Sequence, residues 1–305
     1  MNGVLRSLTA ADRVWLGYIA FVTAVVIVFW QRIPSYPIFL VDHVLTAGLV
    51  VGLAAAHHRF GGRFWAFVHS WYSLPLVVFA FRELHYLVPQ VNPHDADKAL
   101  MALDHFVFGV HPTVWLERIL HPALTEVLQV VYTSYYFLPV VVVGFFYARR
   151  SDARFDEVMT ATLLGFFLSY AGYFLVPAIG PRYTMTHLQT EALQGYALYP
   201  ILREGLDALE LEMRDCFPSG HTIIALIALW YGWKFHRALF WVLLPIVTAL
   251  IFSTVYLRYH YVIDVAAGFV VAVVINLGTP YFTALLRGQG RTAMSCTAAS
   301  SARAN

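Results

Sequence analysis

The stretch Cys216-Phe217-Pro218-Ser219-Gly220-His221-Thr222-Ile223-Ile224-Ala225-Leu226-Ile227-Ala228-Leu229-Trp230 opens on a small-residue turn and runs straight into an apolar segment. Further along, Arg258-Tyr259-His260-Tyr261-Val262-Ile263-Asp264 opens a second apolar run in the same way. Each run approaches the roughly 20 mostly apolar residues that a helix needs to cross a hydrocarbon core. Polar turns at the mouths of such runs place histidines and a carboxylate at the ends of membrane helices.

The rest of the chain agrees. Of 305 residues, 59% are hydrophobic and 12% charged, where soluble domains run near a quarter charged. Apolar runs lie near Val14–Trp30, Pro37–Ala56, Phe64–Phe81, Leu124–Tyr147, Val158–Val176, Ser219–Phe235, Ala238–Leu257 and Tyr261–Thr279. The reading is an all-α, polytopic membrane protein with about eight transmembrane helices. Abundant Trp, Tyr and Phe fit aromatic belts at both lipid interfaces. The net charge of +2 gives no reason to expect nucleic acid as a partner. Cys216 and Cys296 form neither a disulfide framework nor a zinc spacing. The first run follows Arg6 and Arg13 as a signal peptide would. It lacks a small-x-small cleavage site and reads as a retained helix.

Basic residues set the orientation. With eight spans, one face receives the N-terminus, the turns around His57–Arg63, Arg149–Arg154 and Lys234–Arg237, and the C-terminus. That face holds 12 of the 20 Lys and Arg, so both termini are expected in the cytoplasm. Both histidine motifs then face away from it, in a plasma or inner membrane. The stretch Arg82–Ala123 is too polar to span. Its apolar positions within Ala96–Phe108 and Val114–Leu120 have helical spacing, which predicts amphipathic helices along the membrane surface near 96–121. The expected organisation is two N-terminal transmembrane helices over 1–63, a catalytic core over 64–285, and a polar, disordered tail over 286–305.

The chemistry follows from the two turns. Pro218 and Ser219 suit the first positions of a helix, whose free N–H groups bind anions. Gly220 permits close backbone approach, and His221 can protonate a leaving oxygen. His260 and Asp264, four apart at a helix start, share a face. A carboxylate on one ring nitrogen fixes the tautomer and leaves the other nitrogen free to attack. Arg182, in Gly180-Pro181-Arg182-Tyr183, and Arg258 fall on the same membrane face, and guanidinium forks suit phosphate. The plainer alternatives are a helix cap beside an interfacial histidine, a structural His–Asp pair, and snorkelling arginines.

Taken together, these residues resemble a known family. Pro218-Ser219-Gly220-His221 and His260-x-x-x-Asp264 are similar to the second and third signatures of the type-2 phosphatidic acid phosphatase superfamily. That superfamily includes lipid phosphate phosphatases, inositol phosphorylceramide synthases and vanadium haloperoxidases. Ser253–His260 matches the third signature in register, and Val176–Tyr183 occupies the place of the first. The resemblance runs from about Ala123 to Gly278 and implies a six-helix catalytic core. It implies that His260 is the nucleophile forming a phosphohistidine, that Asp264 orients it, and that His221 is the general acid. It further implies that Ser219, Gly220 and Arg182 bind phosphate, and that the enzyme needs no cofactor and no metal.

The departures narrow the branch. The Lys expected seven residues before Arg182 is Leu175, and the Arg expected after Ser253 is Thr254. Arg258 occupies a position usually small in the phosphatases and is taken as a substitute phosphate ligand. Leu103–Gly109, with Pro112 and Trp115, resembles the inositol phosphorylceramide synthase-like branch. The expected activity is that of an integral membrane lipid phosphatase or phosphotransferase. Its partners are a lipid substrate, the bilayer and, for transfer, an alcohol such as inositol or glycerol. Headgroup transfer is the alternative to hydrolysis, and a non-catalytic lipid-phosphate transporter is a third reading.

Other residues carry weaker signals. Tyr183 and Arg214 are candidate headgroup contacts. His57, His58 and His236 are expected solvated in basic turns. His85, His94, His105, His111 and His121 share the motif face but fit no compact metal-ligand set. Tyr132, Tyr135 and Tyr136 read as interfacial aromatics.

Overall fold

A computed structural model describes residues 7–149, 152–209 and 213–286. The tail beyond residue 286, with Cys296, lies outside the described residues, as do Arg6, Arg150 and Ser151. Among the described residues the chain forms helices joined by turns and loops, without strands.

Two N-terminal helices, α1 (Ala10–Val28) and α2 (Tyr36–Phe60), pack together. Thr9 and Asp12 start α1 with a reciprocal capping box. Next come α3 (Gly62–Trp71) and α4 (Ser73–Val91), which read as one apolar run of 30 residues. The short helices α5 (Asp97–Phe108) and α6 (Pro112–Trp115) precede α7 (Pro122–Thr133) and α8 (Leu138–Ala148). Then follow α9 (Asp152–Leu175), the single turn α10 (Pro181–Thr184) and α11 (Leu198–Leu209). The chain closes with α12 (Gly220–Phe235), α13 (Arg237–Tyr256) and α14 (Val262–Leu286). Among the described residues, six runs are long and apolar enough to cross a membrane, and up to eight if the bent pairs α5–α6 and α7–α8 each count as one. The protein is an all-α, polytopic integral membrane protein.

Helix α12 is the hub, packed against α8, α9, α13 and α14. Ile223, Ile224, Ala225, Ile227 and Tyr231 are all but inaccessible. A helix apolar all round is one buried on every side. Its 16 residues rise only about 24 Å, short of the ~30 Å hydrocarbon core. The helix keeps the bounds of the apolar run Ser219–Phe235 within one residue. Glycines bring its entry turn close to its neighbours: a Cβ on Gly172 of α9 would collide with the Pro218 ring, and one on Gly268 of α14 would meet the Ser219 carbonyl at 2.8 Å.

The third apolar run is longer than its sequence suggests. It continues through Glu83 to Val91 because Glu83 finds a hydrogen-bond partner inside the bundle. His43 Nε2 lies 2.7 Å from Glu83 Oε1, and its Nδ1 lies 2.9 Å from Thr23 Oγ1. A second buried cluster joins Asp12, His69 Nε2 at 3.0 Å and the Tyr72 hydroxyl at 2.6 Å. Buried charges persist where they are paired in this way. His236, expected solvated, instead caps α13 by accepting from the Leu239 N–H at 3.1 Å.

Helix α5 is amphipathic, but its acidic residues face inward. Asp97 and Asp104 are buried while Phe106 and Val107 are exposed. Helices α9 and α12 run in opposite directions, so the Lys234–Glu157 ion pair marks one end of the bundle and the histidine motifs mark the other.

Candidate active site

The starts of α12 and α14 meet at the end of the bundle opposite the Lys234–Glu157 pair. Ser219 caps α12, its hydroxyl accepting from the Thr222 N–H at 3.3 Å. The Ser219 N–H donates to the Asp264 carbonyl at 3.2 Å, joining the two motifs through their backbones. His260 sits in the turn before α14, and its Nε2 lies 3.5 Å from His221 Nδ1. Its other nitrogen, Nδ1, lies 3.6 Å from Asp264 Oδ2. Asp264 is fully buried. Its Oδ2 also accepts from the Tyr261 N–H at 2.9 Å and from the Cys216 thiol at 2.8 Å. Burial, and then the neighbouring Asp264 carboxylate, push the Cys216 thiol well above its ordinary range, so it stays protonated and donates.

His221 is held by aromatic rings. Its ring centroid is 4.5 Å from that of Tyr132 and 4.0 Å from that of Tyr135. Those tyrosines are part of the site rather than only an interfacial belt. His221 Nε2 is buried and has no hydrogen-bond partner among the described residues.

A cavity of about 250 Å³ opens over the two histidines, with Arg182, Tyr183, Asp207 and Tyr259 in its walls. Arg182 donates to Asp207 Oδ1 at 2.6 Å and to the Tyr183 hydroxyl. Gly180, at φ +88°, turns the chain into α10; a Cβ there would meet the Tyr259 carbonyl at 2.6 Å. Thus His221, His260, Asp264, Arg182 and Tyr183 come together. Ser219 and Gly220 lie behind the cavity, in the helix start rather than its lining. A Cβ on Gly220 would meet the Tyr173 hydroxyl at 2.8 Å.

Two expected residues lie elsewhere. Arg258 adopts φ +68°, a left-handed backbone that turns its side chain away from the cavity. Its guanidinium donates to Glu117 Oε1 and Gln189 Oε1, both at 3.0 Å, and to the Glu191 carbonyl at 2.6 Å. A side chain other than glycine rarely adopts such a φ, so the backbone at Arg258 is strained. Arg214 pairs with Asp95 Oδ1 at 2.6 Å, outside the cavity.

Asp97 and Asp104 were not singled out from sequence as site residues. Asp97 accepts from the N–H groups of Ile179 at 2.9 Å and Gly180 at 2.8 Å, and from the Tyr261 hydroxyl at 3.0 Å. Asp104 accepts from the N–H groups of Val262 and Ile263, each at 2.9 Å. One clamps the turn before Arg182, and the other caps the helix that carries Asp264. Their seven-residue spacing, which puts both on one helix face, was the available signal.

The profile of the PAP2 superfamily matches residues 98–277, more than half of the chain. The chain belongs to the PAP2 superfamily. Comparison with curated proteins and with solved structures gives no match. Membership in the PAP2 superfamily supports phosphatase- or phosphotransferase-type chemistry on a lipid. The matched residues include both histidine motifs, Arg182 and Asp104, and begin one residue after Asp97. The Thr23–His43–Glu83 and Asp12–His69–Tyr72 clusters fall outside them.

Proposed function

We propose that the protein cleaves or transfers the phosphoryl group of a lipid through a phosphohistidine on His260. The observation that carries this reading is the arrangement around His260. Its Nδ1 faces Asp264, while its Nε2 points past His221 at the floor of a cavity with Arg182 in its wall. His260 Nε2 attacks phosphorus in line, and the bond to the leaving oxygen breaks as the N–P bond forms. His221 gives that oxygen its proton. Arg182 stabilises charge on the equatorial oxygens. Water or an alcohol then attacks the phosphohistidine, with His221 taking its proton, and His260 is regenerated.

An apolar groove favours a lipid. Leu124 and Leu128, two turns and one turn before Tyr132 on α7, join Leu244, Pro245, Thr248 and Phe252 of α13 around about 530 Å³. A chain laid there would present its phosphate toward His221. The basic turns lie at the opposite end of the bundle, which by the positive-inside rule supports a site on the non-cytoplasmic face. Leu175, Thr254 and the segment Leu103–Gly109 favour the inositol phosphorylceramide synthase-like branch, and with it transfer to an alcohol.

The test is His260→Ala in purified protein, with rapid-quench trapping of acid-labile phosphate. Turnover and trapped phosphate should both vanish while the protein stays folded. Retention of more than a few per cent of the activity would sink the nucleophile assignment. Product analysis with and without inositol or glycerol distinguishes transfer from hydrolysis.

A further inference from the structure

Behind His260, on the side away from the cavity, three ligand-type atoms converge. Cys216 Sγ lies 2.8 Å from Asp264 Oδ2 and 3.5 Å from His260 Nδ1, and Nδ1 lies 3.6 Å from Oδ2. All three residues are buried, at 2%, 4% and 0% exposure for Cys216, His260 and Asp264. Asp264 Oδ1 is also buried and has no hydrogen-bond partner among the described residues, so the carboxylate has unused ligand capacity.

Bond lengths for tetrahedral zinc of about 2.3 Å to sulfur and about 2.1 Å to nitrogen and oxygen set the ligand separations. They come to roughly 3.6 Å for both S–N and S–O and 3.4 Å for N–O. The S–N and N–O separations already agree to about 0.2 Å. Only the thiol–carboxylate pair must open, by about 0.8 Å, as its hydrogen bond is exchanged for two metal bonds. The Tyr259 carbonyl, 3.4 Å from the same sulfur, is a candidate for the fourth position.

We infer that Cys216, His260 Nδ1 and Asp264 form an inhibitory site for a soft divalent cation, Zn²⁺ or Cd²⁺. The thiolate selects such ions over Mg²⁺. The consequence for catalysis is a matter of protons. A neutral imidazole carries one N–H. A metal on Nδ1 displaces the proton there, which moves to Nε2, and the thiol proton leaves to solvent. With a proton on Nε2, no lone pair remains to attack phosphorus. The loss of activity rests on His260 being the nucleophile, whereas the binding does not.

The test uses the full chain in detergent, with Cys296→Ser so that Cys216 is the only thiol. Cd²⁺ is titrated in while the ultraviolet cadmium–thiolate absorption and the turnover are read on the same sample. The expected result is one equivalent of absorption, turnover falling in proportion, reversal by a chelator, and no effect of Mg²⁺. Adding Cys216→Ser keeps a hydroxyl donor for Asp264 but removes the soft ligand. It should abolish the absorption and raise the inhibitory concentration at least tenfold, against that variant's own metal-free rate. The absorption titration needs no substitution at Cys216, so a Cys216→Ser protein that failed to fold would not remove the test. Absence of the absorption overturns the metal site and leaves the nucleophile reading standing. Full occupancy with full turnover overturns the inhibitory role and counts at once against His260 as nucleophile.

Discussion

The carboxylate of Asp207 reaches into the cavity and holds the Arg182 guanidinium at 2.6 Å. If Arg182 meets phosphate as proposed, Asp207 holds one of the nitrogens that the substrate would use, and substrate would have to displace it. Because Asp207 is more than a third exposed, the contact is worth at most about 1 kcal/mol, or roughly fivefold in affinity. Asp207→Asn should therefore lower the KM, and the inhibition constant of inorganic phosphate, by up to about fivefold. Arg182→Lys, which keeps the charge but loses the fork, should lower kcat/KM strongly. An Asp207→Asn enzyme that bound phosphate more weakly would show that Asp207 positions Arg182 rather than competing for it.

Asp104→Ala should loosen the start of α14 and shift Asp264 behind His260. Removing a capping carboxylate costs about 1–2 kcal/mol, visible as a lower Tm in detergent. The rate should fall further than the stability loss explains, because a small displacement of catalytic groups is costly. Phe106→Ala, on the exposed face of the same helix, is the control and should leave kcat unchanged. Equal effects from the two substitutions would mean that α5 contributes only bulk packing.

How much of this was legible in the sequence depended on whether a signal was local. His260 and Asp264 are four residues apart, and the turn that leads into α14 brings them together locally. His221 could be placed beside them because both motifs begin apolar runs. The inward face of α5 was not legible. Asp97 and Asp104 look like the wet side of a surface helix until the backbone N–H groups of residues 179, 180, 262 and 263 are seen to need acceptors. Glu83 misled for the same reason. A lone acid in an apolar run reads as the end of a span, and its partner His43 lies 40 residues earlier. Arg258 was placed by side-chain reach, which its positive φ redirects.

Glu83→Ala should destabilise the protein without altering the chemistry. It removes one partner of a buried pair, with side-chain exposures of 6% for His43 and 11% for Glu83. Breaking such a pair costs about 3–5 kcal/mol. The double substitution His43→Leu with Glu83→Leu should recover much of that loss, since an apolar pair leaves no buried charge. Activity per folded molecule should stay near wild type in both. A large fall in kcat of the folded fraction would tie this cluster to the reaction.

Filling the groove between α7 and α13 should separate chain binding from chemistry. Ala249 lines it, and Ala249→Trp would displace part of an acyl chain. Each methylene excluded costs about 0.8 kcal/mol, so losing two raises KM roughly tenfold or more. Long-chain substrates should show this rise, while a short-chain phosphate ester should not. An equal effect on both would place the acyl chain elsewhere.

Arg258 and Glu117 offer a prediction whose sign decides between two roles. The pair is buried, at 8% and 9% side-chain exposure, and Arg258 also holds Gln189 and the Glu191 carbonyl. Glu117 in turn accepts from the Thr190 hydroxyl at 2.7 Å. The two side chains thus pin the loop that runs from Arg182 toward α11, and Arg258 acts through that loop. On this arrangement Arg258→Lys and Glu117→Gln should lower kcat/KM by similar factors. The double substitution should be little worse than either alone, giving a coupling energy of about 1–3 kcal/mol. If Arg258 instead swung into the cavity to meet phosphate, Glu117 would be its competitor. Glu117→Gln would then raise affinity for substrate while Arg258→Lys lowered it. Opposite signs in the two single variants would therefore overturn the structural role and return Arg258 to the phosphate site. Matching signs with strong coupling leave Arg182 as the guanidinium that faces the substrate.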